Sequence, residues 1–142
     1  MIDDLTAPVP DLAPAFVMHI ERGEPVHVGA IATGGQRSHV PVIGGSFTGE
    51  GLSGTLTGGS ETLLERVDGV TVIDIVYYIT FSDGAVARCF GTGYRTVPPH
   101  FAGARFSLLF EAAETSSVAA LATRAFMAEQ ADGDALVSIN RI

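Results

Sequence analysis

Glycine punctuation constrains this chain more than any other feature. Gly34-Gly35, Gly44-Gly45, Gly49, Gly51, Gly54 and Gly58-Gly59 fall so close together that no helix of ordinary length fits between them. Short β segments do fit, around Val40 to Ile43, Ser46 to Thr48 and Leu52 to Thr57. Glycine at this density inside strands marks bulges, corners and close backbone approaches, which a tightly curved sheet requires.

The rest of the chain reads the same way. Phe16, Met18 and Ile20 recur at period two, as in a half-buried strand, and Glu21-Arg22-Gly23-Glu24 reads as a turn before a short strand at Val26-His27-Val28. Val70 to Phe81 is the strongest strand pattern, with Ile73, Ile75, Tyr77, Ile79 and Phe81 on one face and Val72, Asp74, Val76 and Tyr78 on the other. Both faces are largely apolar, which predicts cover on both sides by a barrel interior or an oligomer interface. Ser82-Asp83-Gly84 is a hairpin signal before a return strand from Ala85 to Phe90, and Asp68-Gly69 is a turn. Arg105 to Ala113 and Ala135 to Ile139 are further strands. Between Ser116 and Gln130 the spacing of Val118, Leu121, Ala122, Ala125 and Phe126 favours a helix. About nine short strands with no internal repeat predict an all-β fold, a sandwich or a single antiparallel barrel of 8–9 strands.

One domain is expected. A chain of 142 residues lies within the roughly 100 to 200 residues that a single core serves. Residues 1–13, with Pro8 and Pro10, form an extended lead-in, and residues 14–142 form the barrel. Hydrophobic residues are 46% of the chain and charged residues 17%, enough apolar surface for an ordered core.

The formal charge of −8 repels phosphate backbones, and the arginines are scattered singly, so nucleic acid is not an expected partner. Lysine is absent, which excludes Schiff-base chemistry and a lysine-bearing phosphate loop. The glycine pairs are not followed by a helix start, so they carry no phosphate site either. With the lone cysteine Cys89, no internal disulfide or multi-thiolate site forms, and the expected location is cytoplasmic. No apolar run approaches the roughly 20 residues a bilayer span needs, so no membrane is expected. His19, His27, His39 and His100 match no metal-ligand spacing, and no metal or cofactor is expected.

The run Arg37-x-x-Val40-Pro41-Val42-Ile43-Gly44-Gly45-x-Phe47-x-Gly49-x-x-Leu52-x-Gly54, then Gly58-Gly59, Arg66-x-Asp68-Gly69-Val70, Asp74, Tyr77 and Asp83-Gly84-Ala85, resembles the family called domain of unknown function 3237. Weaker echoes run on through Arg105-Phe106, Phe110-Glu111, Leu121 to Phe126 and Ser138 to Ile142. The resemblance implies a compact β-barrel similar to the allene oxide cyclase and dirigent barrels, often oligomeric, with no settled biochemical role. It also implies a strand at 121–128 against local propensity. This chain departs from the family pattern in having Glu61-Thr62 in place of Asp-Trp, Val76 in place of an arginine, and a short connection from Gly93 to Arg105.

Four ionisable residues fall in the matched region: Arg37, Glu61, Arg66 and Asp74. A carboxylate in an apolar strand face must be paired or shifted in pKa, so Asp74 is either a general base in the lumen or a structural hydrogen-bonding group. With Glu61 as a second carboxylate, Arg37 and Arg66 as anion or enolate partners, and Tyr78 donating to a carbonyl oxygen, the set suits proton abstraction beside a carbonyl. The alternative for Arg66, two residues before a turn, is a salt bridge that ties down that loop. Phe47 is either a ligand-stacking ring or core. The expected function is a small-molecule-binding barrel, a cofactor-independent isomerase, cyclase or lyase acting on a small apolar or carboxylate-bearing metabolite. The alternative is a non-catalytic ligand-binding or self-associating module, a homodimer or larger, with a solid interior.

Overall fold

The computed structural model describes residues 11–142; most of the expected N-terminal lead-in therefore lies outside the described residues. Nine strands follow one another: β1 Ala13–Arg22, β2 Val26–Ala30, β3 Gln36–Gly49, β4 Leu52–Glu65, β5 Thr71–Phe81, β6 Val86–Thr96, β7 Gly103–Ala112, β8 Phe126–Ala131 and β9 Leu136–Arg141. Each pairs antiparallel with its neighbour in the order β1-β9-β8-β7-β6-β5-β4-β3. Pairing of β1 with β3, from Val17 opposite Thr48 to Arg22 opposite Val42, closes the ring. The result is an eight-stranded barrel with β2 as an extra strand outside it, hydrogen-bonded along Gln36 to His39 of β3. The segments read separately at Val40–Ile43 and Ser46–Thr48 are one long strand, because the glycines between them bend β3 without ending it.

Between Ser116 and Gln130 neither expectation holds in full. A 3₁₀ turn occupies Ala119–Thr123, and the strand starts only at Phe126, so 121–128 is half turn and half strand. Val118 and Leu121 of this segment are buried with the core, which accounts for the apolar spacing that mimics a helix.

Alternation sorts the side chains. Phe16, Met18 and Ile20 of β1, Ile73, Ile75, Tyr77, Ile79 and Phe81 of β5, Phe106, Leu108 and Phe110 of β7, and Val137 and Ile139 of β9 are buried inside. One end of the lumen is solid. Phe16 stacks on Phe47 with centroids 4.5 Å apart, Phe110 meets Phe126 edge-on at 5.2 Å, and Phe81 meets Phe47 edge-on at 5.8 Å. Edge-on and offset pairs are the favoured aromatic geometries, and each buried ring contributes about 1.5–3 kcal/mol through lost apolar surface.

The other end is hollow, and the inward positions of β6 toward it are Gly91 and Gly93. A Cβ at Gly91 would stand 1.7 Å from the Ser107 carbonyl oxygen, and one at Gly93 2.1 Å from that of Arg105, so the bend of β6 onto β7 admits only glycine. Ala104 and Ala128 continue this small-residue wall.

Phe47→Ala removes the ring that three others pack against. It is expected to lower unfolding free energy by about 3–5 kcal/mol, measured by urea denaturation followed by circular dichroism.

Candidate functional site

At the hollow end the interior turns polar. Glu61 faces inward from β4, opposite Ile75 of β5, and at 6% exposure is the one buried charged residue among those described. An isolated carboxylate in such a place would cost several kcal/mol, so its partners decide whether the fold tolerates it. It has three donated hydrogen bonds. Arg22 Nε donates to Oε1 at 2.6 Å and Nη2 to Oε2 at 2.9 Å, the bidentate fork that matches guanidinium to carboxylate. The fully buried Tyr77 donates its hydroxyl to Oε2 at 2.5 Å. Arg22 Nη2 also approaches Gln130 Oε1 at 3.5 Å.

Local sequence explains these placements. Arg22 is the last residue of β1 and continues the inward set Phe16, Met18, Ile20 by one more step of two. Tyr77 shares the inward face of β5 with Ile75 and Ile79. A bulge between Leu56 and Gly58 shifts the β4 register, and Gly59, at φ +128°, lets the backbone close to Val76. Glu61 follows two residues later. Burial holds the Tyr77 phenol well above its ordinary value, and the adjacent Glu61 charge adds to this, so the hydroxyl keeps its proton. The hydrogen bonds from Arg22 to Glu61 raise the guanidinium further.

Beside this triad lies a cavity of about 220 Å³ lined by Arg22, Glu61, Ile73, Ile75, Phe106 and Gln130, with Leu63 and Arg95 on its wall. Leu63 and Arg95 also line a second, outer cavity of about 350 Å³, where His27 and Gly29 of β2 face Arg37, Ser38, Glu65 and Thr71. The inner chamber and this vestibule, which the extra strand helps to line, thus share two residues of wall.

Several expectations about the site are corrected. Asp74 does not face the lumen: Ile73 and Ile75 take the inward positions of β5, so alternation turns Asp74 to the exposed outer face, opposite Thr62 and Thr92. Tyr78 is likewise outside, 42% exposed. With both exposed and Val72 and Val76 only half-buried, the outer face of β5 is not covered by the described residues. Arg66 is held by Asp68 in its own turn, which also accepts from the Val70 amide, and its guanidinium lies 5.7 Å from the Tyr94 ring, so it ties a loop outside the lumen. Phe47 belongs to the packed aromatic end. Glu61 is in the lumen and Arg37 in the vestibule.

Sequence reasoning missed Arg22, which reads as a turn residue, and Tyr77, which reads as core. The signal for Arg22 was present in the period-two pattern of β1 carried one step further. Cys89 is fully buried and its thiol is pushed up to about 12 by that burial, far from a nucleophile's range. Among the described residues no three of His, Cys, Asp and Glu come together as a cation site, and no helix is long and apolar enough to cross a membrane.

Two outcomes follow. Arg22→Leu strands the Glu61 carboxylate and is expected to cost about 3 kcal/mol, whereas the triple replacement Arg22→Leu, Glu61→Leu and Tyr77→Phe recovers most of that loss in urea denaturation. Stability is also expected to fall from about pH 9 upward. The unfolded chain releases the Cys89 and Tyr77 protons near their ordinary values of 9.0 and 10.0, while the folded chain holds both longer. Thermal melts across pH 8–11 should show a shallower fall for the Cys89→Ala, Tyr77→Phe double variant.

Known proteins place this architecture. A UPF0311 protein of Clostridium acetobutylicum is 31% identical over 87 residues, 61% of this chain and 55% of that relative, so the chain matches about half of its length. A solved β-barrel-like protein from Acinetobacter baumannii superposes with a TM-score of 0.79 at 21% identity, over 96% of this chain and 98% of that one. A solved structure described as an enzyme from Penicillium herquei superposes with a TM-score of 0.77 at 19% identity, over 96% and 98% of the two chains. At such identities the likeness concerns the fold. The profile of the proteins of unknown function called DUF3237 matches residues 10–123, and the chain belongs to that family.

Proposed function

We propose that the inner chamber binds a small carbonyl compound and moves a proton on it, with Glu61 as the base. The observation that carries this reading is the single buried carboxylate among the described residues, fixed on two sides and lining a cavity that also holds an arginine. A Glu61 oxygen takes the proton from the carbon beside the carbonyl, and the C–H electron pair moves into an enolate. Arg22 spends Nε and Nη2 on Glu61, and its Nη1 has no partner among the described residues, leaving donors for the enolate oxygen. Return of the proton from Glu61 to another carbon gives isomerisation; attack by the enolate, or loss of a leaving group, gives cyclisation or elimination. Tyr77 does not line the chamber and acts as a positioning residue that holds the carboxylate in place.

The step needs no cofactor. At about 220 Å³ the chamber is smaller than the roughly 300–1,000 Å³ of drug-sized sites, which favours a small metabolite. The buried single cysteine supports a cytoplasmic setting. The enzyme with the same fold is in keeping with catalysis in such a barrel.

A second reading, a ligand-holding or self-associating module, is favoured by the full set of three hydrogen bonds on Glu61 and by the solid aromatic end. Val76, Phe90 and Leu109 stand side by side across the outer faces of β5, β6 and β7, and this row supports self-association.

Hydrogen–deuterium exchange distinguishes the two. In D₂O, with a panel of small β-diketones, β-keto acids and enones followed by proton NMR, the protein is expected to accelerate exchange beside the carbonyl. Glu61→Gln is expected to reduce that rate by about 10²-fold or more. Equal rates for wild type and Glu61→Gln with every compound would remove the catalytic reading and leave the binding module.

A further inference from the structure

Seven of the eight arginines form an ion pair: Arg22, Arg66, Arg88, Arg95, Arg105, Arg124 and Arg141. Arg37 alone has no carboxylate partner among the described residues, although acidic residues outnumber basic ones by 16 to 8. It is half-buried, and it lines the vestibule. An arginine in a concave, partly desolvated site with its fork unused is a receptor for a planar anion.

The second arginine of the vestibule is Arg95, on the wall shared with the inner chamber. Its partner is Asp132, at 3.2 Å and with both side chains well exposed. Such pairs are worth about 0–1 kcal/mol and give way readily to a better-placed anion. Glu65 stands on the same cavity, opposite Gln36 across the β3–β4 ladder, so the vestibule sets two arginines against one carboxylate. The apolar Leu63 joins the two compartments.

We propose that the vestibule is a carboxylate subsite: the ligand is a small organic acid whose carboxylate is held by Arg37 and Arg95 and whose carbonyl-bearing body passes Leu63 to reach Glu61. This rests on the inner chamber being the reacting end, as proposed above. It names the substrate class as a keto acid or related acid. It also gives β2 a purpose: this strand lies outside the ring and contributes His27 and Gly29 to the roof of the subsite, with a bulge between them. The inner chamber alone is small, and the two compartments together accommodate an acid with an extended body.

The test uses 3-benzoylpropionate, its neutral amide and phenyl phosphate as probes, with dissociation constants from NMR titration at low salt. Wild type is expected to bind the acid about tenfold or more tighter than the amide, as a charge-assisted pair gives. Arg37→Gln should abolish that preference by weakening the acid far more than the amide, with a melting curve like that of wild type. Glu61→Gln should keep the acid-over-amide ratio even though it slows deuterium exchange, so the subsite and the catalytic reading fail separately. Equal or absent binding of acid and amide by wild type, or a preference that survives Arg37→Gln, overturns the subsite. Tighter binding of phenyl phosphate than of the acid overturns its assignment to carboxylates.

Discussion

Antiparallel pairing of β1 with β3 turns a meander of strands into a ring, and the molecule's other properties depend on that closure. An open sheet would leave two edges of unpaired N–H and C=O groups and two faces of different character. The ring removes those edges and gives all its strands one interior. From then on, strict alternation decides which side chains meet. The phenylalanines of β1, β3, β5, β7 and β8 converge although they lie up to 110 residues apart in sequence, as Phe16 and Phe126 do.

The interior is divided in two. Rings and branched aliphatics fill one end, while the other keeps a cavity walled by Arg22, Glu61, Ile73, Ile75 and Phe106. Rigidity at the filled end fixes the open end: Tyr77 lies on the same strand face as Ile79 and Phe81, and through its hydroxyl it sets the orientation of Glu61. A buried ion pair of this kind is seldom the best route to stability, since apolar residues of the same size serve as well or better. Here it lies beside a cavity.

Arg22 and Arg37 differ in position. Arg22 is committed to Glu61, whereas Arg37, on the part of β3 that pairs with β2, lines the neighbouring cavity. Along β3 the neighbour changes from β2 at Gln36–His39 to β1 from Val42 onward.

The amino-acid sequence by itself determined the all-β class and the turns, because glycine spacing, period-two patterning and Asp-Gly pairs act over a few residues. It also singled out Glu61 and Arg37. Only tertiary structure decided which face of each strand looks inward. Both faces of β5 are apolar enough to be either, so Asp74 and Tyr78 on one side and Tyr77 on the other were indistinguishable by composition. Likewise, nothing local brings Arg22 to Glu61, 39 residues on: ring closure does, by pairing β1 with β3 on the side opposite to β4. The site exists through long-range register, a property that no short window of residues contains.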